Sequence, residues 1–210
     1  MLMYLRSLGY DVNRKRVQRL YKTLGIEAIY QKPRTTISNK EHVKYPYLLG
    51  NIDVIRKDQV WCADITYIRM KRGFMYLVAI MDWYSRYILS WKLSPFLEAD
   101  FCKDALLDAL KISTCGIFNT DQGVQFTSNQ FISILNYNNI TISMAGRGRC
   151  YDNIFIERFW RSLKYNWIYL HNFETVQDLY YGLVYWISFY NNERLHQALN
   201  YVTPSSIYYN

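Results

Sequence analysis

Three acids occupy positions from which they could do chemistry together. Asp64 interrupts the apolar run Val60-Trp61-Cys62-Ala63-Asp64-Ile65-Thr66-Tyr67-Ile68, and strand alternation places it on the face shared by Cys62 and Thr66. A lone carboxylate there is driven toward protonation unless a divalent cation keeps it ionised. Asp121 follows the short apolar segment Gly116-Ile117-Phe118 and opens the turn Asp121-Gln122-Gly123. Glu157 lies in a stretch of helical period in which Ile156, Trp160, Leu163 and Trp167 form an apolar stripe. Asn153, Glu157, Arg161 and Lys164 fall on the adjacent face. Three carboxylates without clustered His or Cys select hard cations, magnesium or manganese, over zinc. Two such ions hold a scissile phosphate when one activates the attacking oxygen and the other steadies the leaving oxygen. Asp64 is then the bridging ligand, with Asp121 completing one site and Glu157 the other.

The spacing and the surrounding residues match a known pattern. Between Asp64 and Asp121 lie 56 residues, and between Asp121 and Glu157 lie 35. Together with Trp61-Cys62-Ala63-Asp64-Ile65-Thr66-Tyr67, Thr120-Asp121-Gln122-Gly123-Val124-Gln125-Phe126-Thr127-Ser128 and Asp152-Asn153, this resembles the Asp-Asp-Glu transposases of bacterial insertion sequences. The match is to the large family-three group, whose transposase is read from two overlapping frames and whose core is related to retroviral integrases. Lys164, seven positions after Glu157, matches the family's basic residue, and Tyr190-Asn191, Arg194, His196, Leu199 and Thr203-Pro204 match its closing motif. The resemblance covers nearly the whole chain. It departs at Asn166, where the family usually has an acid, and at Val124, where it usually has a serine.

The resemblance implies an α/β fold, ribonuclease H-like, with a mixed five-stranded sheet and helices on both faces. It implies catalysis by Asp64, Asp121 and Glu157 with two magnesium or manganese ions, water attacking in the nicking step and a DNA 3′-hydroxyl in strand transfer. Lys164 would contact the terminal base or a nearby phosphate, with Arg161 and Asn153 beside it. The expected partners are transposon ends and target DNA, a second copy of the chain on that DNA, and a protein from the upstream frame. Two other readings share the carboxylates: a catalytically silent, truncated DNA-binding remnant, and a ribonuclease H-type nuclease.

These residues need a scaffold, and the chain supplies its elements in order. Met1 to Gly9 reads as a short helix. Asn13 caps a second helix over 14–24, with Val17, Leu20 and Leu24 inward and Arg14, Lys15, Arg16, Arg19 and Lys22 outward. Helix, turn and basic helix over 1–30 suggest a helix-turn-helix-like DNA-binding segment. It begins close to Met1, which implies a chain shortened relative to the family. Residues 31–59, polar and without period, read as a linker whose last part packs on the core as an arm. The core, 60–170, opens with strands over 60–68, 74–82 and 86–93, whose short connections require antiparallel neighbours. A helix over 97–112, a strand ending near Asn119, a helix over 128–138 and a strand over 140–143 follow. Residues 171–210 form a C-terminal helical extension with an apolar stripe from Val176 to Tyr190. Periodicity alone leaves the strand order open.

Charge is unevenly spread. The net charge is +8, of which residues 1–45 carry +7 and residues 46–210 only +1. A basic module on a near-neutral body suggests a grip on a polyanion. Arg147 and Arg149, between Gly146 and Gly148, read as further phosphate contacts. The longest apolar run, Phe74 to Met81, is eight residues, far short of the ~20 that span a bilayer. The expected location is therefore cytoplasmic, at the nucleoid. Cys62, Cys102, Cys115 and Cys150 are scattered, which argues against disulfides and a zinc ribbon. Asp82 ends an apolar run as a ligand would, but the turn after it points to a structural role.

Overall fold

A hairpin of two long apolar strands makes the centre of the sheet. In the computed structural model, which describes residues 2–25, 45–145 and 153–210, β1 (Val60–Arg69) pairs antiparallel with β2 (Phe74–Asp82), and β2 with β3 (Ile88–Ser94). The first turn uses Gly73 at φ +80, a conformation open to glycine at little cost. Helix α3 (Asp100–Leu110) then crosses to β4 (Ile117–Thr120), and α4 (Asn129–Tyr137) leads to β5 (Thr141–Met144). Both β4 and β5 run parallel to β1, giving the order β3-β2-β1-β4-β5. Helices α5 (Ile154–Asn166), α6 (Val176–Asn192) and α7 (Pro204–Tyr209) complete this unit.

The sheet is covered on both faces because its strands alternate between two apolar sets. Val60, Cys62, Leu77 and Ala79 pack with Ile156, Phe159 and Leu163 of α5 and Leu179, Leu183 and Trp186 of α6. Trp61, Ala63, Val78 and Ile80 pack with Phe101 and Ala105 of α3, Phe131 of α4 and Tyr208 of α7. This is the mixed five-stranded, two-faced α/β architecture that the resemblance implied. The segment before β1 lies on it as an arm: Leu49 is buried, the Leu48 N–H donates to Ser143 Oγ at 3.1 Å, and the Met144 N–H to the Pro46 carbonyl at 3.3 Å.

The third strand starts two residues later than expected, because Asp82 organises the turn before it. Its carboxylate accepts from the Ser85 N–H and Oγ–H at 2.8 and 2.6 Å and from the Asp58 N–H at 2.8 Å, and Arg86 takes φ +64. Asn191 secures the start of β3 from α6. Its Oδ1 accepts from the Ile88 N–H at 2.9 Å and its Nδ2 donates to the Ile88 carbonyl at 3.0 Å, all buried. Asn191→Ala strands both backbone groups and is expected to cost about 2–4 kcal/mol, read as a lower urea midpoint at unchanged slope.

The chain divides into two compact units, Met1–Ser38 and Asn39–Asn210. The first contains α1 (Leu2–Ser7) and α2 (Arg14–Thr23), with Asn13 Oδ1 accepting from the Arg16 N–H at 2.8 Å. One expectation fails here. Val17 is buried, but Leu20 and Leu24 are 42% and 66% exposed, because a six-residue helix offers too little surface to cover three apolar positions. Arg14, Lys15, Arg16, Arg19 and Lys22 are exposed as expected.

Candidate active site

Strand register explains why Asp64 and Asp121 meet. In the parallel pair β1–β4, Cys62 lies opposite Asn119, and the same offset carried two residues on sets Asp64 opposite Asp121. Neighbouring strands run ~4.8 Å apart, so acids 57 positions apart in the chain come side by side where β4 ends against β1. Asp121 is the first residue beyond β4, exposed, with Oδ1 accepting from the Gly123 N–H at 2.9 Å. Glu157 comes from the first turn of α5, which packs through Ile156, Phe159 and Leu163 on the Asp64 face of the sheet. It too is exposed.

Asp64 is the most constrained of the three. Trp160, one turn after Glu157, donates its indole N–H to Asp64 Oδ2 at 2.9 Å. Burial raises the Asp64 carboxyl to about 6; the Trp160 bond opposes that shift, and the charges of Asp121 and Glu157 add to it. The site is thus a concentration of negative charge that a cation would relieve. All its donors are carboxylate oxygens, the chemistry of magnesium and manganese sites. Asp121 and Glu157 act on Asp64 through space, yet among the described residues no three acidic, histidine or cysteine side chains are close enough to form a ready coordination shell.

Lys164 is a cation whose charge is coupled to Asp64. Burial of its stem lowers its pKa, Asp64 opposes this, and Nζ sits 5.0 Å from the centre of the Tyr67 ring. Tyr67 is itself exposed and edge-on to Phe74. Arg161 is exposed, 6.0 Å over Tyr165. Asn153 is buried just ahead of α5; it makes no side-chain capping bond, and its Oδ1 has no partner among the described residues. Its backbone starts the helix, the Asn153 carbonyl accepting from the Glu157 N–H at 3.1 Å. Arg147 and Arg149 lie outside the described residues. His196 sits elsewhere, against Tyr190.

Trp160 is the functional side chain that periodicity hides. Its place in an apolar stripe reads as packing, and the only hint is that a buried indole N–H needs an acceptor. Trp160→Phe keeps the ring and removes the donor. It is expected to lower any reaction dependent on Asp64 by about ten- to a hundredfold with DNA affinity unchanged, as when an outer-shell partner of a ligand is lost. A rate within twofold of the native chain would contradict this role.

Comparison with known proteins agrees with the geometry. Residues 55–150 and residues 138–204 each match a family model described as "Integrase core domain". The transposase for insertion sequence element IS904 of Lactococcus lactis is 31% identical over 95% of this chain and 82% of its own length. Transposase InsF for insertion sequence IS3A of Escherichia coli is 33% identical over 80% of this chain and 61% of its own length. Among solved structures, the HTLV-2 integrase catalytic core domain in complex with magnesium superposes with a TM-score of 0.60 at 18% identity, over 74% of this chain and 99% of that one. Integrase in the simian T-cell lymphotropic virus intasome gives 0.66 at 17%, over 82% and 61%. These last two establish the ribonuclease H-like, integrase-core fold.

Proposed function

The chain belongs to the insertion-sequence transposases of the IS3 group, and from that premise we propose that it is a polynucleotidyl transferase that nicks transposon ends and joins them to target DNA. What supports this reading is that Asp64, in a central strand of an integrase-core sheet, feels the charges of Asp121 just beyond the neighbouring β4 and of Glu157 on α5. Asp64, Asp121 and Glu157 are the residues that would hold two magnesium or manganese ions. When bound, such ions stabilise charge on the attacking and leaving oxygens of phosphoryl transfer.

The chain's own groups have separable tasks. Trp160 holds Asp64 in one orientation through its indole N–H. The turn at Gly123 keeps Asp121 at the end of β4 until a stronger partner takes its carboxylate. Lys164 and Arg161, on the Glu157 side of α5, present positive charge to the phosphate backbone of a terminal base pair, with Asn153 one turn earlier. The exposed Arg14, Lys15, Arg16, Arg19 and Lys22 of α2 grip DNA through its phosphates. Arg147 and Arg149 are proposed to add to that grip. Assembly on DNA as a homo-oligomer, a partner from the upstream frame and a location at the nucleoid belong to the same reading. No helix among the described residues is long and apolar enough to cross a membrane.

A nicking and strand-transfer assay on the DNA ends of the parent element, with manganese, tests this. Joined products are the expected result. Cleavage of the RNA strand of a hybrid without joining would replace the reading with a ribonuclease H-type nuclease. Binding of ends with neither reaction would replace it with a silent remnant.

A further inference from the structure

A second polar cleft lies on a different flank of α5. At ~100° of rotation per residue, Phe155 and Arg158 project well away from Glu157, and with Arg86, Tyr190, Arg194 and His196 they line a cleft of about 260 Å3. Its charges have one sign. The Arg86 guanidinium lies over Phe155 with Cζ 3.4 Å from the ring centre. None of the three arginines forms an ion pair among the described residues. The carboxylate whose charge reaches Arg86 is Asp82, and its oxygens are already bonded to Asp58 and Ser85.

His196 completes the wall. Its ring stands edge-on to Tyr190 at 4.7 Å, and Nε2 is buried without a partner among the described residues. Burial, together with the charges of Arg194 and Arg86, lowers it to about 4, so at neutral pH it is an uncharged group short of a hydrogen bond. A half-buried Arg86 guanidinium without an ion pair and an unsatisfied buried imidazole nitrogen are costly unless an anion enters, and Arg194 and the exposed Arg158 add like charge at the same cleft. The volume is below the ~300–1,000 Å3 usual for small-molecule pockets, which favours a single compact oxyanion. Planar guanidinium forks match phosphate oxygens in pairs.

We propose that this cleft binds one phosphodiester group of DNA through Arg86, Arg158, Arg194 and His196, as a backbone contact separate from the carboxylate site. The proposal rests on the transposase reading for the identity of the polyanion. It gives Arg194 and His196 of the closing motif a ligand, while Asn191 of the same motif is engaged with β3. A duplex held here as well as at Lys164 spans α5, which fixes the helix that carries Glu157 relative to the DNA.

Duplex binding by the full chain, measured from low to moderate salt for Arg158→Gln and Arg194→Gln, tests it. Lys111→Gln, at a lysine already paired with Asp108, serves as the control. Arg158 is exposed, so its variant folds, and melting curves check the other. Each cleft variant is expected to weaken binding evenly across sequences and to reduce the log–log salt slope by about one unit, with the control unchanged. Inorganic phosphate at constant ionic strength separates the two sources of the same chemistry. Unchanged slopes in both variants overturn the proposal, and so does phosphate protecting the native chain from melting, but not the variants, while DNA binding stays equal. End joining by the native chain is scored in parallel: its absence removes the transposase reading, whereas unchanged slopes with joining intact remove only the cleft.

Discussion

Asp64→Asn is expected to raise the melting temperature of the metal-free chain while cutting end nicking and strand transfer by at least about a hundredfold, since outer-shell losses alone cost ten- to a hundredfold. The two effects share one cause. Burial, with Asp121 and Glu157 nearby, raises the folded-state pKa of Asp64 from 3.8 to about 6. A group raised in this way contributes stability that is complete below about pH 4 and is lost as pH climbs through about 6. At pH 7 the ionised carboxylate therefore costs the metal-free fold on the order of 3 kcal/mol. Asparagine carries no such charge and keeps an oxygen for the Trp160 N–H, so the variant should lack the decline in stability between pH 4 and 7 that the native chain shows. Thermal melts with chelator across that range measure it. Parallel pH profiles for the two proteins would mean that Asp64 is not held as described.

A residue that weakens the fold and is nonetheless held half-buried in the central strand is kept for something other than folding. Here the strain belongs to the reaction proposed for the site. Asp82 makes the contrast, because it is fully buried but has three donors within 2.8 Å and stitches a turn.

Much of this arrangement was legible in residue order. Alternation in Val60 to Ile68 located β1 and the face of Asp64, short turns required the antiparallel meander, and helical period located α5 and its buried stripe. The position of β4 beside β1, and of β5 beside β4, could not come from periodicity, since pairing partners are set by long-range packing; the integrase-like resemblance supplied the topology. The roles of Trp160 and Asn191 were hidden for the same reason. Each works through one polar atom on an otherwise packing surface, directed at a residue 96 or 103 positions away. Leu20 and Leu24 misled because a helical period predicts a face and not what covers it.

Asp121 offers the second large effect and the cleaner one. Its charge reaches Asp64 from the end of a strand whose register with β1 puts the two acids side by side. Asparagine at this position retains Oδ1 for the Gly123 N–H, so the turn survives and only the charge is removed. Neither core nor the basic helix α2 is touched, and DNA affinity should stay within about twofold. Loss of a direct ligand again exceeds the ten- to hundredfold typical of outer-shell partners.

The most direct test is the rate of end nicking and joining with manganese for the native chain and Asp121→Asn at matched DNA occupancy. A loss of at least about a hundredfold, with binding retained, is the outcome expected if the three carboxylates act as one metal site. Equal rates in the two proteins would contradict it.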